Sequence, residues 1–103
     1  MTERSAFVLR VRPDRLEEYL RAHEAVWPDM LDAIRAAGIR NYTIFRDGNR
    51  MFGYFEADDL AAAGRYLAEQ KVSARWQDAM AELLEERVPD EGPPALDQVF
   101  RLD

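Results

Sequence analysis

A hairpin with large apolar side chains on both of its faces constrains the fold more than any other feature of this chain. Two aromatic, β-prone runs, residues 41–46 and 51–57, flank an Asp-Gly-Asn turn at residues 47–49, and this pattern predicts two antiparallel strands. Successive side chains of a strand point to opposite faces of its sheet. Both faces of the sheet therefore need a cover. The large apolar side chains on opposite faces are Tyr42 and Ile44 against Phe45, and Phe52 and Tyr54 against Met51 and Phe55.

Before the hairpin, the sequence predicts one strand and one interrupted helix. Residues 6–11 alternate with the period of a half-buried strand. Pro13 and Asp14 open a helix, and Pro28 predicts a kink or a restart, because proline lacks an amide hydrogen and disfavours helical geometry in the preceding residue. Gly38 is expected to end the helix. One helix face carries Leu16, Tyr19, Leu20, His23 and Trp27.

After the hairpin, the sequence predicts two more helices, a loop and a strand. Asp58 or Asp59 is expected to cap one helix and Ser73 the next, because short polar side chains accept hydrogen bonds from the first amides of a helix. The Pro, Gly and acidic content of residues 89–94 is typical of an exposed loop. Residues 97–102 are predicted to form a short final strand. The element order is therefore βαββαβ.

This order predicts a ferredoxin-like α+β fold, in which helices cover one face of a four-stranded antiparallel sheet. With 103 residues and no glycine-serine linker, the chain is expected to form one domain, residues 1–103. It has too few elements to cover the second face of the sheet. The apolar side chains there predict a homodimer with barrel-like packing of two sheets. A groove for a ligand would explain the same side chains.

Composition excludes several classes of function. A formal net charge of −6 disfavours nucleic acid and anionic membranes as partners, because their binding depends on Lys and Arg. The absence of cysteine excludes disulfides and thiolate nucleophiles. With a single histidine, we expect no histidine-rich metal site within one subunit, although carboxylates alone could still hold a hard cation. No apolar run approaches the roughly 20 residues that span a bilayer, and the first residues lead into a strand pattern, so we expect a cytoplasmic protein.

The sequence contains residues suited to acid–base chemistry, whereas the motifs of other reaction types are absent. The sequence has no glycine-rich phosphate loop, no G-x-S-x-G elbow and no H-E-x-x-H helix. His23 is the one side chain whose ordinary pKa lies near neutrality, and Tyr19 precedes it by one helical turn on the same face. Tyr42 and Trp76 could close a cavity around this pair. Such an aromatic-walled pocket suits a small polyhydroxylated ring, although each of these side chains could instead be a structural core residue.

At this point the motifs resemble those of a known family, the L-rhamnose mutarotases. The similarity covers residues 6–100 and includes the ending Gln98-Val99-Phe100. It rests on the set of motifs in this order and spacing more than on any single one. The motifs are Ala6-Phe7-Val8, Glu18-Tyr19 with His23 four residues later, Trp27-Pro28, Asn41-Tyr42-Thr43-Ile44, and Arg75-Trp76 with Met80.

The resemblance implies a dimeric α+β barrel of ferredoxin-like subunits and the interconversion of the α and β anomers of a pyranose without a cofactor. It implies that His23 is the proton donor and that Tyr19, Tyr42 and Trp76 contact the sugar. Many members have two consecutive tryptophans where this chain has Trp76-Gln77. Gln77 is therefore a candidate specificity contact, and the substrate is expected to be L-rhamnose, with L-fucose or another 6-deoxy sugar as an alternative.

Two other functions fit the same fold. A cofactor-free monooxygenase acting on an aromatic or polyketide substrate would also use a small aromatic-lined pocket on a dimeric barrel, and it would consume oxygen. A non-enzymatic binding module would use His23 and the tyrosines only as a dimer core, and it would tolerate His23→Gln.

Overall fold

Three antiparallel strands form the sheet. In the computed structural model, which describes residues 1–90 and 92–103, the strands are β1 (Glu3–Arg10), β2 (Arg40–Asp47) and β3 (Arg50–Ala57) in the spatial order β1-β3-β2. The hairpin predicted around residues 47–49 is confirmed: β2 and β3 pair in antiparallel register up to the Asp47–Arg50 pair. Gly48 sits in the turn at a φ of +61°, a conformation that glycine adopts without steric cost.

Four helices pack on one face of this sheet. The first follows a short 3₁₀ turn, Pro13–Arg15. Among the described residues, no helix has both the length and the apolar character needed to cross a membrane. The helices are α1 (Leu16–Glu24), α2 (Pro28–Ala36), α3 (Leu60–Ala68) and α4 (Lys71–Ala81).

Helix boundaries follow the predicted signals with one exception. Pro28 is the first residue of α2, which confirms the predicted restart. Gly38 ends α2 at a φ of +87°, and its amide donates to the Arg35 carbonyl at 3.0 Å. Asp59 caps α3 by accepting from the Ala62 amide at 3.0 Å. The prediction of Ser73 as a cap is wrong, because α4 begins two residues earlier, at Lys71. Ser73 lies buried inside that helix.

The helix-covered face of the sheet depends on a close contact between Phe7 and Gly53. These two residues are cross-strand partners, and a β-carbon added at Gly53 would lie 2.0 Å from Cζ of Phe7. Phe7 is almost completely buried, so its ring has little space to move. Gly53 is therefore required for the aromatic ring to lie flat across β3 beside the site described below.

We expect Gly53→Ala to lower the free energy of unfolding by about 1–3 kcal/mol, because it overpacks this contact. Urea denaturation of both proteins measures the change. The double variant Gly53→Ala/Phe7→Leu should recover part of the loss, since the smaller side chain vacates the space that the new methyl group needs. A single variant as stable as the parent would contradict this account of the contact.

The predicted fold class, α+β, is confirmed, but the predicted final strand is wrong. Within the described residues, 97–102 form no strand; the Leu96 amide donates to the Ala6 carbonyl at 2.7 Å on the free edge of β1, and the chain then leaves the sheet. Val99 is 92% exposed and Phe100 is 78% exposed. A strand at an edge needs a ladder of hydrogen bonds and an apolar surface to pack on, and the bond to β1 is made by Leu96, just before the segment.

The sheet face away from the helices carries apolar side chains that are exposed or half-buried. Val8, Phe52 and Phe45 are neighbours across the three strands, and Tyr54 lies beside them on β3. Phe45 is 69% exposed. We call these four residues the open face. No helix of the described part of the chain packs on it, so the apolar surface predicted on both sides of the hairpin is present on both sides.

Candidate active site

A cavity of about 940 Å³ lies between the helix-covered face of the sheet and the helices. Its volume is ample for a monosaccharide, since pockets for small ligands commonly measure about 300–1,000 Å³. The cavity brings together side chains from α1, β2 and α4 that are distant in sequence. Four of the five predicted site residues border it: His23, Tyr42, Trp76 and Gln77.

His23 is held in one orientation by Tyr19. Nδ1 of His23 lies 3.0 Å from the backbone carbonyl of Tyr19, and because a carbonyl only accepts, Nδ1 carries the hydrogen of this bond. The imidazole also stacks on the Tyr19 ring at 4.2 Å between centroids, and the Trp76 ring meets it edge-on at 5.5 Å. In the neutral imidazole, Nε2 is therefore the nitrogen with a free lone pair.

The pKa of His23 lies below its ordinary value. Burial is the main cause, because it disfavours the charged imidazolium, and the hydrogen bond to the Tyr19 carbonyl opposes it in part. The neutral form consequently dominates at neutral pH. In that form Nε2 can accept a proton, and after accepting it can act as an acid.

Tyr19 lies behind the histidine. It is 3% exposed and its side chain belongs to the core. Its ring stacks on His23, which borders the cavity. Burial raises the pKa of Tyr19 to about 12. The structure therefore gives Tyr19 a clear part in orienting His23, while a direct contact between its hydroxyl and a sugar stays a prediction.

Tyr42 forms the sheet side of the cavity. Its ring packs edge-on against Phe7, with centroids 6.2 Å apart, and at 5.2 Å from Phe55. Tyr42 is 40% exposed and borders the cavity. Burial of its hydroxyl, assisted by the neighbouring Tyr19 phenol, raises the pKa of Tyr42 well above its usual range. The phenol is therefore neutral and can both donate and accept a hydrogen bond.

Helix α4 supplies the opposite wall. Trp76 is buried, and its indole meets His23 on one side and Trp27 on another, the two tryptophan rings lying 5.1 Å apart and nearly perpendicular. Gln77, the next residue of α4, is half-buried and borders the same cavity. An ion pair between Arg75 and Asp29, 3.3 Å apart, links α4 to α2 at the surface beside this wall.

Several polar residues at the cavity were missed by sequence reasoning. The adjacency of Arg40 and Asn41 to Tyr42 was a usable signal, whereas isolated charged and serine residues gave none, because such residues are usually solvated. In the loop predicted at residues 89–94, residues 89–90 and 92–94 form no helix or strand, and Asp90, Gly92 and Pro93 border the cavity; Glu91 lies outside the described residues. The missed polar residues are Ser5, Arg35, Arg40, Asn41, Ser73 and Asp90.

Proton transfer is the chemistry that this arrangement supports. An oriented imidazole with one free nitrogen faces an aromatic-walled space that also holds a neutral phenol and an amide. In residues 1–90 and 92–103, no group of three or more His, Cys, Asp or Glu side chains is placed to bind a metal ion.

Comparison with known proteins agrees with the motifs. A sequence model of the L-rhamnose mutarotase family matches residues 4–102. The chain is 37% identical to the L-rhamnose mutarotase of Bacillus subtilis (strain 168) over 105 residues, covering 98% of this chain and 99% of that protein. It is 40% identical to the L-rhamnose mutarotase of Burkholderia orbicola (strain MC0-3) over 107 residues, with the same coverage.

A solved structure extends the comparison to the fold. The crystal structure of an L-rhamnose mutarotase from Formosa agariphila superposes with a TM-score of 0.76 at 27% sequence identity, covering 98% of this chain and 99% of that one. The similarity that the motifs indicated is thus confirmed over nearly the whole chain. The chain belongs to the L-rhamnose mutarotase family and is an isomerase-type enzyme.

Proposed function

We propose that this protein interconverts the α and β anomers of L-rhamnose by acid–base ring opening and closure, without a cofactor. The observation that carries the proposal is the His23 imidazole: Nδ1 is engaged by the Tyr19 carbonyl at 3.0 Å, which leaves Nε2 to serve the cavity. Family membership supports the same reaction. No observation on the cavity favours oxygenase chemistry over proton transfer.

One imidazole can serve both oxygens of the reacting carbon. The anomeric hydroxyl and the ring oxygen are both bonded to C1. Nε2 of neutral His23 accepts the proton of the anomeric hydroxyl while the O–H electrons form the C1 carbonyl and the C1–ring oxygen bond breaks. The imidazolium then donates this proton to the ring oxygen. The open aldehyde rotates about C1–C2 and closes by the reverse steps, so protons and electrons balance and His23 returns to its neutral form.

The remaining side chains hold the sugar and the histidine. The neutral Tyr42 phenol is placed to exchange hydrogen bonds with sugar hydroxyls, and Trp76 offers an apolar wall beside the imidazole. Tyr19 fixes the imidazole through its carbonyl and its ring, and its hydroxyl is a further candidate partner of the sugar. Gln77 is a candidate specificity contact, since an amide can recognise a hydroxyl that an indole cannot.

Exchange NMR of the anomeric protons tests the reaction. Saturation of one anomeric signal of L-rhamnose should transfer to the other faster with catalytic amounts of protein than in buffer, and more strongly than for L-fucose. An equal or greater effect on L-fucose would replace the proposed substrate. No acceleration of either sugar would overturn the mutarotase proposal, and oxygen consumption would then be measured to test the monooxygenase.

The pH dependence of catalysis should report the neutral form of His23. Because burial lowers the pKa of His23 below its ordinary 6.5, the base form persists above that pH and is lost only below it. We expect the enzyme-catalysed rate to be constant above about pH 6.5 and to fall at lower pH. His23→Asn should have no such inflection. A rate that instead falls as the pH rises through this range would show that His23 must start as the acid.

We also propose that two subunits pair through the open face. Phe45 is 69% exposed there, and it continues an apolar row with Phe52 and Val8. The exposed Val99 and Phe100 follow Leu96, whose amide bonds to the Ala6 carbonyl of β1, and they offer more apolar surface than their own subunit covers. A contiguous apolar patch of this kind is typical of an interface, and symmetric pairing of two sheets would cover it.

A further inference from the structure

An extra residue in β2 lies directly before Tyr42. Arg40 pairs with Glu56, and Thr43 pairs with Tyr54, so β2 takes three steps where β3 takes two. This is a β-bulge, and bulges commonly redirect a neighbouring side chain. Within the bulge, Asn41 has a φ of +52°. That left-handed conformation is rare for residues other than glycine, and asparagine is among the few that tolerate it.

The Asn41 side chain is anchored on the other face of the sheet. Its Nδ2 donates to Oε1 of Glu56 at 2.8 Å. Glu56 is itself fixed, because Tyr54 Oη donates to its other oxygen at 2.5 Å and Arg4 Nε lies 3.9 Å away. The Tyr54 and Asn41 hydrogen bonds hold the pKa of Glu56 below its usual range, so the acceptor stays ionised and the bonds are charge-assisted.

The bulge sets the direction of the next side chain. Tyr42 points to the helix-covered face, where its ring meets Phe7 and Phe55 and borders the cavity with Asn41. Thr43, one residue later, already returns to regular pairing with Tyr54. The left-handed residue Asn41 therefore leads the backbone directly into the residue that borders the cavity from the sheet.

We propose that Asn41 is a positioning residue for sugar binding: its left-handed backbone, locked through Glu56, aims the Tyr42 hydroxyl at the substrate. The inference rests on the proposed role of Tyr42 as a sugar contact. Asn41 acts through Tyr42 and takes no part in the proton transfer, so its loss affects KM much more than kcat.

Three variants separate the backbone from the anchor. Asn41→Ala loses both the tolerance of positive φ and the amide, and should raise KM for L-rhamnose about tenfold, the equivalent of roughly one lost hydrogen bond, with little change in kcat. Asn41→Gly adopts the same φ freely and should stay nearer to the parent. Asn41→Asp keeps the backbone tolerance, and hence the fold, but sets a carboxylate against Glu56, so its KM should also rise.

A double-mutant cycle with Tyr42→Phe distinguishes positioning from a merely structural role. If Asn41 acts by placing the Tyr42 hydroxyl, the effect of Asn41→Ala on KM should shrink to less than about twofold when that hydroxyl is already absent. Fluorine NMR of protein labelled with 3-fluorotyrosine should show a shifted Tyr42 signal in Asn41→Ala and Asn41→Asp, assigned by its loss in Tyr42→Phe.

The outcomes are distinct. Equal effects of Asn41→Ala with and without the Tyr42 hydroxyl would overturn the inference, as would an unchanged KM in both Asn41→Ala and Asn41→Asp while Tyr42→Phe raises it. If Tyr42→Phe itself leaves KM unchanged, the proposed role of Tyr42 fails first and the inference fails with it. If Asn41→Ala does not fold, the KM of Asn41→Asp, alone and combined with Tyr42→Phe, tests the inference in its place.

Discussion

His23→Asn is expected to lower the enzyme-catalysed exchange of L-rhamnose anomers by about 10²–10⁴-fold, the usual contribution of a positioned acid–base group. Catalysis is lost because the asparagine amide does not take up a proton near neutral pH. The fold is kept because the amide is polar and smaller than the imidazole that it replaces. Its side chain can still donate a hydrogen bond toward the Tyr19 carbonyl. The loss should therefore appear in catalysis and not in folding.

The measurement is anomeric exchange NMR at several enzyme concentrations, with the uncatalysed rate in buffer subtracted. Thermal unfolding followed by circular dichroism checks that the variant is folded. Glu24→Gln, an exposed change on the adjacent residue of the same helix, is the matched control and should retain the parent rate. A folded His23→Asn variant with near-normal exchange would remove His23 from the mechanism, whatever the sugar.

The sequence was most informative where a local signal and its tertiary setting agree. Pro28 and Gly38 acted through the backbone alone, so the start and end of α2 could be read without knowing what surrounds them. His23 and Tyr19 lie one helical turn apart, and that spacing by itself predicts that they share a face. The structure adds what spacing cannot give, which is the bond from Nδ1 to the Tyr19 carbonyl.

The errors have a common physical origin in tertiary context. Ser73 has the chemistry of a cap, but the chain turns into α4 earlier, so the same hydroxyl lies buried beside the cavity instead. Residues 97–102 have the composition of a strand, but a strand also needs an adjacent edge along its length, and the hydrogen bond to β1 is made by Leu96, just before the segment. The bulge at Asn41 has no recognisable sequence pattern, because one extra residue in a strand changes the strand pairing without changing the apolar composition of the strand.

Phe45→Glu is expected to weaken subunit pairing by at least about 100-fold, because each copy would bring an unpaired charge into an apolar interface. Leaving one buried charge uncompensated costs about 3–5 kcal/mol, and about 1.4 kcal/mol corresponds to tenfold in a dissociation constant. Sedimentation velocity over a range of protein concentrations measures the change. Phe45 is already 69% exposed in the subunit, so the substitution should leave the free energy of unfolding of an isolated subunit nearly unchanged.

Phe45→Leu is the matched control for this prediction, since it keeps an apolar side chain on the open face and should keep the dimer. Removal of residues 97–103 tests the contribution of the C-terminal segment to subunit pairing. If the exposed Val99 and Phe100 pack on the partner, the dimer of the truncated chain should also dissociate more readily. A parent protein that sediments as a single subunit at every concentration would refute the proposed pairing. A dimer that is insensitive to Phe45→Glu would place the interface elsewhere, because pairing through the open face would cover Phe45 together with its neighbours Phe52 and Val8.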